Sequence, residues 1–536
     1  MLFNYCDRNY QSNKYNVDEY DDKVVNIIVY VDRLKEIVTE KELKFNDLEK
    51  KIYKFVCMLG CMIIKFILES RDKKIMKLRD KKKFRHKGYR KNCIKTIMGE
   101  IEYERAIYLL EEEGETKYVY LLDEEMKIET IGKVSVNLAE KALSIAVNTS
   151  SYRKGEEEIR NTTNETLSHE GLRDLVLKTG AKIEKKEDEE LKAFEQQKLI
   201  QGTKEILALF EEADGLWVNL QGADRNKQIE KYKKQCEKKG KEYKKPGRVK
   251  TELKLHVSYE GWKKDDARHP LVNKSYITGM MSSKRLEKIR DAKIYQKYNE
   301  EKIELRVMNG DGARWIKNIT AKGAISQKDN FHIHQEIVRD ITDESKRKEL
   351  EKIIEEKRYS EVQEYIENLK YDLGGEEKTV KKLSVLQSYL KEGLPRYQDI
   401  LKEQNREVPK APEGIEYRNP GIMESQIFTV LKVRLASGRK AFSKRGVSYL
   451  AKVCAIKTEN NGNIEIEKVE EPIKIDNSVE EWINEIEENV RKNKKIHRAN
   501  RKETEENNNI QNVIINATFM KEIMKMKPFT EMKCSF

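Results

Sequence analysis

Met308-Asn309-Gly310-Asp311-Gly312-Ala313-Arg314-Trp315 is a strand end that breaks into a turn with an acid at its tip. Upstream, Ile303, Leu305 and Val307 alternate with Glu304 and Arg306, the period-2 pattern of a half-buried strand. Asp311 keeps the apolar parity. A carboxylate in line with a buried row costs several kcal/mol unless a base or a metal ion pairs with it. The same inconsistency recurs in Ala213-Asp214-Gly215-Leu216-Trp217-Val218-Asn219-Leu220, where Asp214 shares the parity of Leu216, Val218 and Leu220. It recurs again where Gly421-Ile422-Met423-Glu424 leads into a helix expected from Ser425 to about Lys440, with Ile427, Leu431 and Leu435 at helical spacing and Glu424 at the head of that stripe. Two strands and one helix thus offer three acids, 97 and 113 residues apart. Taken singly, an Asp-Gly pair is more often only a turn, and a Glu in a first helical turn is often only favourable with the dipole.

The chain around them is long and polar. Its 536 residues exceed one ordinary core, so several modules are expected. At 38% apolar and 38% charged it holds enough apolar residues for packed domains rather than disorder. Seven cysteines, an odd number without a CxxC pair, point to reduced thiols in a cytoplasm; Cys57 and Cys61, one helical turn apart, are expected in a core. The start, Met1 to Tyr5, lacks the basic and apolar pattern of a leader. The most apolar run, Phe55 to Leu68, is 14 residues long and contains Lys65, which reads as a buried helix and excludes a membrane span.

Charge placement points to an anionic partner. Arg225 to Lys254 carries 13 Lys/Arg against four Glu, and Lys432, Arg434, Arg439, Lys440, Lys444 and Arg445 follow Glu424 with no acid among them. These two stretches hold more positive charge than the whole chain's net +13, and they flank the first and third acids, where they could neutralise a phosphate backbone.

Eight segments are expected: 1–84, an N-terminal helical region; 85–125, a small β unit with a hairpin at Met98-Gly99-Glu100; 126–181, a helix-turn-helix-like region; 182–205, a charged linking helix with a solvated face; 206–340, the first part of an α/β core; 341–412, a helical insertion; 413–456, the core helix with the third acid; and 457–536, a C-terminal extension. In the third segment Ser168 is the expected N-cap of a helix carrying Leu172, Leu175 and Val176 inward and Arg173 and Lys178 outward, the latter two as DNA-contact candidates. Asp329 and His332 have a metal-ligand spacing, but one such pair falls short of the four ligands of zinc, which leaves an orienting or structural role.

These residues resemble bacterial insertion-sequence transposases of the ISLre-two type and, more distantly, the Mutator-like transposases. The resemblance covers roughly Arg71 to Ile456. It is carried by the hairpin with Arg105, Ala213-Asp214-Gly215, Asn309 to Trp315, and above all Gly421-Ile422-Met423-Glu424 followed by Arg434-Leu435, Ser437, Arg439, Phe442-Ser443 and Gly446. Asp329-Asn330-Phe331-His332 looks like the Asp/Cys-x-x-His motif of the Mutator-like relatives. An aromatic, often Trp, precedes that serine in relatives; here it is Phe442. The resemblance implies an RNase H-like core, a mixed α/β sheet with a helical insertion before the third acid, beside a mostly α N-terminal region. It implies Asp214, Asp311 and Glu424 as catalytic residues and ligands of two Mg²⁺ ions, with Mn²⁺ as substitute. Asp329, His332 and Trp315 are accessory candidates, and Lys432, Arg434, Arg439 and Lys440 are DNA-contact candidates, though Arg434 and Arg439 could instead bond helix-end carbonyls. The expected partners are double-stranded DNA, both the element's terminal inverted repeats and its target, and further copies of the chain. The expected place is a bacterial cytoplasm, on the nucleoid when bound to DNA. A nuclease without strand transfer and a non-catalytic DNA-binding descendant share the same acids and stay open.

Overall fold

The computed structural model describes residues 44–112, 115–128, 130–165, 167–264, 266–372, 377–436 and 440–464. The helix expected within 1–43, the C-terminal extension beyond Ile464 and Arg439 lie outside the described residues. The described chain falls into two compact units, one running to Ser135 and taking in Thr163–Glu165, the other holding Val136–Thr162 and the chain beyond.

In the first unit the long helix α1 (Phe45–Leu78) lies on a sheet of β1 (Phe84–Thr96), β2 (Gly99–Glu112), β3 (Glu115–Val119), β4 (Thr130–Ile131) and β5 (Val134–Ser135), ordered β3-β2-β1-β5-β4. The short helix α2 (Leu121–Met126) closes its core, where Leu68 and Ile75 meet Ile94, Ile101 and Tyr103. The expected hairpin is present, with Thr96 opposite Gly99. The apolar run Phe55–Leu68 belongs to α1, but most of it is only half-buried, because one face alone meets the sheet. Cys57 is buried and Cys61 packs at the edge of the core. Among the described residues no helix is long and apolar enough to cross a membrane.

The second unit opens with three helices, α3 (Val136–Asn148), α4 (Tyr152–Thr162) and α5 (His169–Glu195). Ser168 caps α5, accepting the Gly171 N–H at 3.1 Å. Leu172, Leu175 and Val176 point inward and Arg173 and Lys178 outward, Lys178 pairing with Asp174 at 3.3 Å. The separate linking helix expected from Lys182 is a correction: α5 runs unbroken for 27 residues. Its second half keeps the expected solvated face, with Lys182, Lys185, Lys186, Glu189 and Lys192 exposed, while the opposite face is packed. It packs on the last core helix, with Glu187 and Lys452 both buried in an ion pair and the Tyr449 hydroxyl donating to Glu184 at 2.8 Å. Gly180 permits this approach, since a Cβ there would stand 2.3 Å from Cβ of Tyr449. Gly180→Ala is therefore expected to destabilise the unit by about 1–3 kcal/mol, read as a lower midpoint in thermal unfolding.

A mixed sheet forms the centre. Its strands are β6 (Ala208–Asn219), β7 (Lys250–Tyr259), β9 (Ser275–Gly279), β10 (Leu305–Gly310) and β11 (Ile325–Lys328), in the order β11-β10-β6-β7-β9, while β8 (Trp262–Lys263) pairs with a later short strand. β6, β10 and β11 are parallel; β7 runs antiparallel to β6, and β9 antiparallel to β7. Helix α6 (Gly222–Lys238) joins β6 to β7. One face of the sheet is covered by α7 (Ser283–Lys297) and α8 (Arg314–Ile319), whose Leu286, Ile289 and Ile316 pack on Ala213, Ile277 and Met308. On the other, Phe210, Tyr259, Trp262, Tyr397 and Tyr417 interlock with ring centroids 5.0–5.8 Å apart.

Helices α9 (Asn330–Asp340), α10 (Glu344–Glu355), α11 (Glu361–Asp372) and α12 (Glu377–Leu390) share a core of their own, including Ile333, Leu350, Ile366, Leu383 and Leu386. The chain returns through α13 (Tyr397–Glu403) and β12 (Ile415–Glu416), which pairs with β8, to α14 (Met423–Gln426), continued as a π-helical turn (Ile427–Lys432) and a last turn (Val433–Leu435). Helix α15 (Lys444–Glu459) lies against β9 and α5. The helix after Glu424 thus ends at Leu435 and not near Lys440; its stripe Ile427, Leu431 and Leu435 is buried as expected.

Candidate functional site

The parallel register of β6 and β10 sets Gly310 beside Ala213. Asp311, the first residue past β10, therefore stands beside Asp214, which is still within β6. Asp214 is 8% exposed and its Oδ1 accepts the N–H of Gly215 at 2.6 Å. Asp311 likewise commits Oδ1 to the Ala313 N–H at 2.7 Å, and its own carbonyl accepts the Tyr389 hydroxyl at 3.0 Å, so the helical insertion helps hold the turn. The turn needs Gly312, whose φ of +82° is left-handed and where a Cβ would stand 2.8 Å from Cε of Lys328. Burial raises the Asp311 pKa, and the Asp214 charge raises it further, against the Ala313 hydrogen bond and His332. Positive charge nearby offsets the cost of placing these two carboxylates side by side.

His332 supplies part of that charge. Asp329 caps α9, accepting the Phe331 N–H at 2.8 Å, and this turns the first helical face so that His332 Nε2 stands 3.7 Å from Asp214 Oδ2. The Asp214 carboxylate raises the His332 pKa against burial, with Asp311 and Asp329 adding to it.

Glu424 is placed differently. At the head of α14 its side chain is 44% exposed, and its Oε1 accepts from Lys432 Nζ at 2.6 Å. Among the described residues no group of three or more His, Cys, Asp or Glu is arranged to hold a metal ion. The fold brings Asp214, Asp311 and His332 together and leaves the Glu424 carboxylate on Lys432.

Beneath these four residues runs a buried network that the sequence did not reveal. Glu212 is fully buried and accepts from the Tyr259 hydroxyl at 2.6 Å, Asn309 Nδ2 at 2.8 Å and the N–H groups of Gly421 and Ile422 at 3.2 Å each. Asn309 Nδ2 also donates to Asp329 Oδ2 at 3.1 Å, and Gln327 donates to its Oδ1 at 3.3 Å. Glu212, Asn309, Asp329 and Ile422 lie two or three residues before Asp214, Asp311, His332 and Glu424 respectively. One polar layer thus ties together all four elements that carry the candidate residues. Burial, with the Asp329 charge, pushes the Glu212 carboxyl up to about 7 despite its donors. On the opposite face Glu211, equally buried, is held below the usual carboxylate range: burial alone would raise it, but Arg306, His256 at 3.1 Å and Arg290 at 3.7 Å outweigh that. Adjacent acids on a strand look like a solvated edge. The signal that could have found them is that each sits among the apolar residues of a strand otherwise too hydrophobic for any edge.

The remaining candidates divide. Trp315 donates its indole N–H to Glu252 at 3.0 Å and lies under Lys254, 5.4 Å from the ring centroid. Arg434 as a DNA contact is corrected: at 3% exposure it donates to the carbonyls of Ala146 at 2.7 Å and Ser150 at 3.3 Å, closing the end of α3, and stacks 4.8 Å from Tyr152. Lys440 is drawn in as well, donating to the Arg434 carbonyl at 2.7 Å, and burial lowers its pKa to about 8. Arg434→Ala is accordingly expected to lower stability by about 2–3 kcal/mol in urea unfolding while leaving the salt dependence of DNA binding unchanged.

Comparison with known proteins locates the chain. The profile of a family described as an uncharacterised protein family, UPF0236, matches residues 38–233 and 236–472. Similar proteins carry the same family name in Caldanaerobacter subterraneus subsp. tengcongensis. One is 24% identical over 455 residues, 82% of this chain and 84% of its own; a second is 24% identical over 82% and 79%; a third is 25% identical over 79% of each.

Proposed function

The chain belongs to the uncharacterised protein family UPF0236, and from that membership and the geometry of the site we propose that it is a DDE-type DNA transposase. It would cut DNA strands at the ends of an insertion sequence and join the freed 3′-ends to target DNA. The observation that carries the reading is the placing of Asp214, within β6, beside Asp311, just past the end of the parallel strand β10, with Glu424 on a helix whose approach is anchored to β6 through Glu212. A mixed sheet with acids on its two central strands, and a helical insertion before the third acid, is the arrangement an RNase H-like core implies.

The two aspartates are oxygen donors of the kind a hard divalent cation takes: Oδ1 of each accepts a backbone N–H, and the burial and the Asp214 charge that raise Asp311 are what a cation would offset. When bound, Mg²⁺ or Mn²⁺ would activate the attacking oxygen and stabilise the leaving one. His332 orients the free edge of Asp214 and holds positive charge beside it. Lys432, paired with Glu424, is the phosphate-contact candidate on that helix. The basic run from Arg225 to Lys254, with Arg173 and Lys178 on the outer face of α5, supplies phosphate contacts for double-stranded DNA. Holding two element ends requires at least two copies of the chain, working on the nucleoid. The relatives' names fit this reading. One joins eleven locus designations from a single organism and another joins four, the multiplicity that a self-inserting element leaves.

The test is incubation of the full chain with labelled element-end DNA and Mg²⁺ or Mn²⁺. Cleaved ends joined to a second DNA support the proposal. Cleavage without joining favours a nuclease, and binding without cleavage favours a non-catalytic DNA-binding protein.

A further inference from the structure

Beyond Asp214, β6 opens on one face. Trp217 lies there opposite Glu252 of β7, with Gly215 opposite Lys254 on one side and Asn219 opposite Lys250 on the other. The strand is buried on both faces as far as Asp214, yet Trp217 is 61% exposed. Its indole forms one wall of a cavity of about 400 Å³, shared with Lys250, Glu252, Lys254, Met281 and Lys444. That volume lies within the range of about 300–1,000 Å³ that small-molecule sites occupy.

The lining selects the occupant. Lys254 is fixed, donating to the Met281 carbonyl at 2.7 Å above the Trp315 ring, and Glu252 is held by the Trp315 indole N–H. The Glu252 carboxylate keeps phosphate off this floor. Lys250 and Lys444 are exposed, so the positive charge available to a ligand stands at the rim beside the indole. A flat aromatic wall with ammonium groups at its edge matches a base with its flanking phosphates. An apolar ligand would leave the lysines unused, and a lone anion would leave the indole unused. Duplex DNA keeps its bases stacked and out of reach of the wall. Trp217 follows Asp214 by three residues, an odd spacing on a strand, so it stands on the opposite face of the sheet from the acid pair.

We propose that this groove takes an unpaired nucleotide of a DNA single strand, its base against Trp217 and its phosphates on Lys250 and Lys444. The binding does not rest on the transposase reading.

The experiment is a titration, without divalent metal, of the full chain into a single-stranded oligonucleotide bearing 2-aminopurine, and into the matching duplex. The intact chain is expected to quench 2-aminopurine in the single strand. Trp217→Ala is expected to bind the single strand about tenfold more weakly and lose the quenching, with duplex affinity unchanged, whereas Trp217→Phe keeps most of both. Lys250→Ala and Lys444→Ala should each reduce the salt slope by about 0.7 for the single strand. Unchanged quenching in Trp217→Ala of native circular dichroism overturns the proposal, as does an equal loss for duplex and single strand. Single-strand binding through Trp217 in a chain that never cuts DNA would sink the transposase reading and leave the groove standing; cutting by a chain whose Trp217→Ala variant still quenches would do the reverse.

Discussion

Asp214→Asn and Asp311→Asn are each expected to lower strand cleavage by at least about 10³-fold while element-end DNA still binds. Each change keeps the shape and the Oδ1 acceptor that takes the Gly215 or Ala313 N–H, and removes one of the two charges that would hold a cation. Neither variant should unfold. In Asp311→Asn the burial and the Asp214 charge that raise the Asp311 pKa no longer oppose an ionised group, so its thermal midpoint is expected to hold or rise, whereas Asp214→Asn loses a repulsion with Asp311 and an attraction to His332 together. In Asp214→Asn the His332 pKa should fall back toward its ordinary value, since the Asp214 carboxylate is the main cause of its elevation; titration of the ring by NMR reads this directly. Glu424→Gln should cut as poorly as the aspartate variants, because the third acid has no substitute on α14. Cleavage at the intact rate by any of the three would remove that residue from the active site.

The second large effect lies beneath the site. Glu212→Ala is expected to cost about 3–5 kcal/mol, because it leaves the Tyr259 hydroxyl, the Asn309 amide and two backbone N–H groups without their acceptor inside the core. Glu212→Gln keeps one carbonyl acceptor and should cost less. The local signature separates this from general destabilisation. The Gly421 and Ile422 amides find their acceptor in Glu212, so hydrogen exchange at those two positions should quicken at least tenfold in Glu212→Gln, at a temperature where amides of β6 still exchange at the intact rate. Equal exchange at Gly421 and Ile422 in both proteins would mean that another group holds the loop.

The candidate acids were legible because strand alternation is local. Asp214 and Asp311 betray themselves by occupying apolar parity, and five or six neighbouring residues suffice to see it. The hairpin at Met98-Gly99, the Ser168 cap and the apolar stripe after Glu424 are local in the same way. For Arg434 the sequence left phosphate and helix-end carbonyls open, since its partners Ala146 and Ser150 lie more than 280 residues earlier in the chain. Its charge suggested phosphate; its burial assigned it to a helix end. Within the second half of α5, Glu187 alone departs from the solvated charge run for a related reason: it looks solvated until Lys452 is placed against it.

By itself the sequence determined which residues alternate, cap and turn, and hence the candidate acids, the hairpin and the helical insertion, because these follow from dihedral preference and hydrophobic period over a few residues. Only the tertiary structure decided which buried charges are compensated and by whom. It set Asp214 against Asp311 and His332, put Glu424 on Lys432, and made Glu212 the common anchor of Asn309 and the Gly421–Ile422 turn. The cost of burying a carboxylate is fixed by the donors that reach it, and across a sheet those donors come from segments that sequence spacing does not relate.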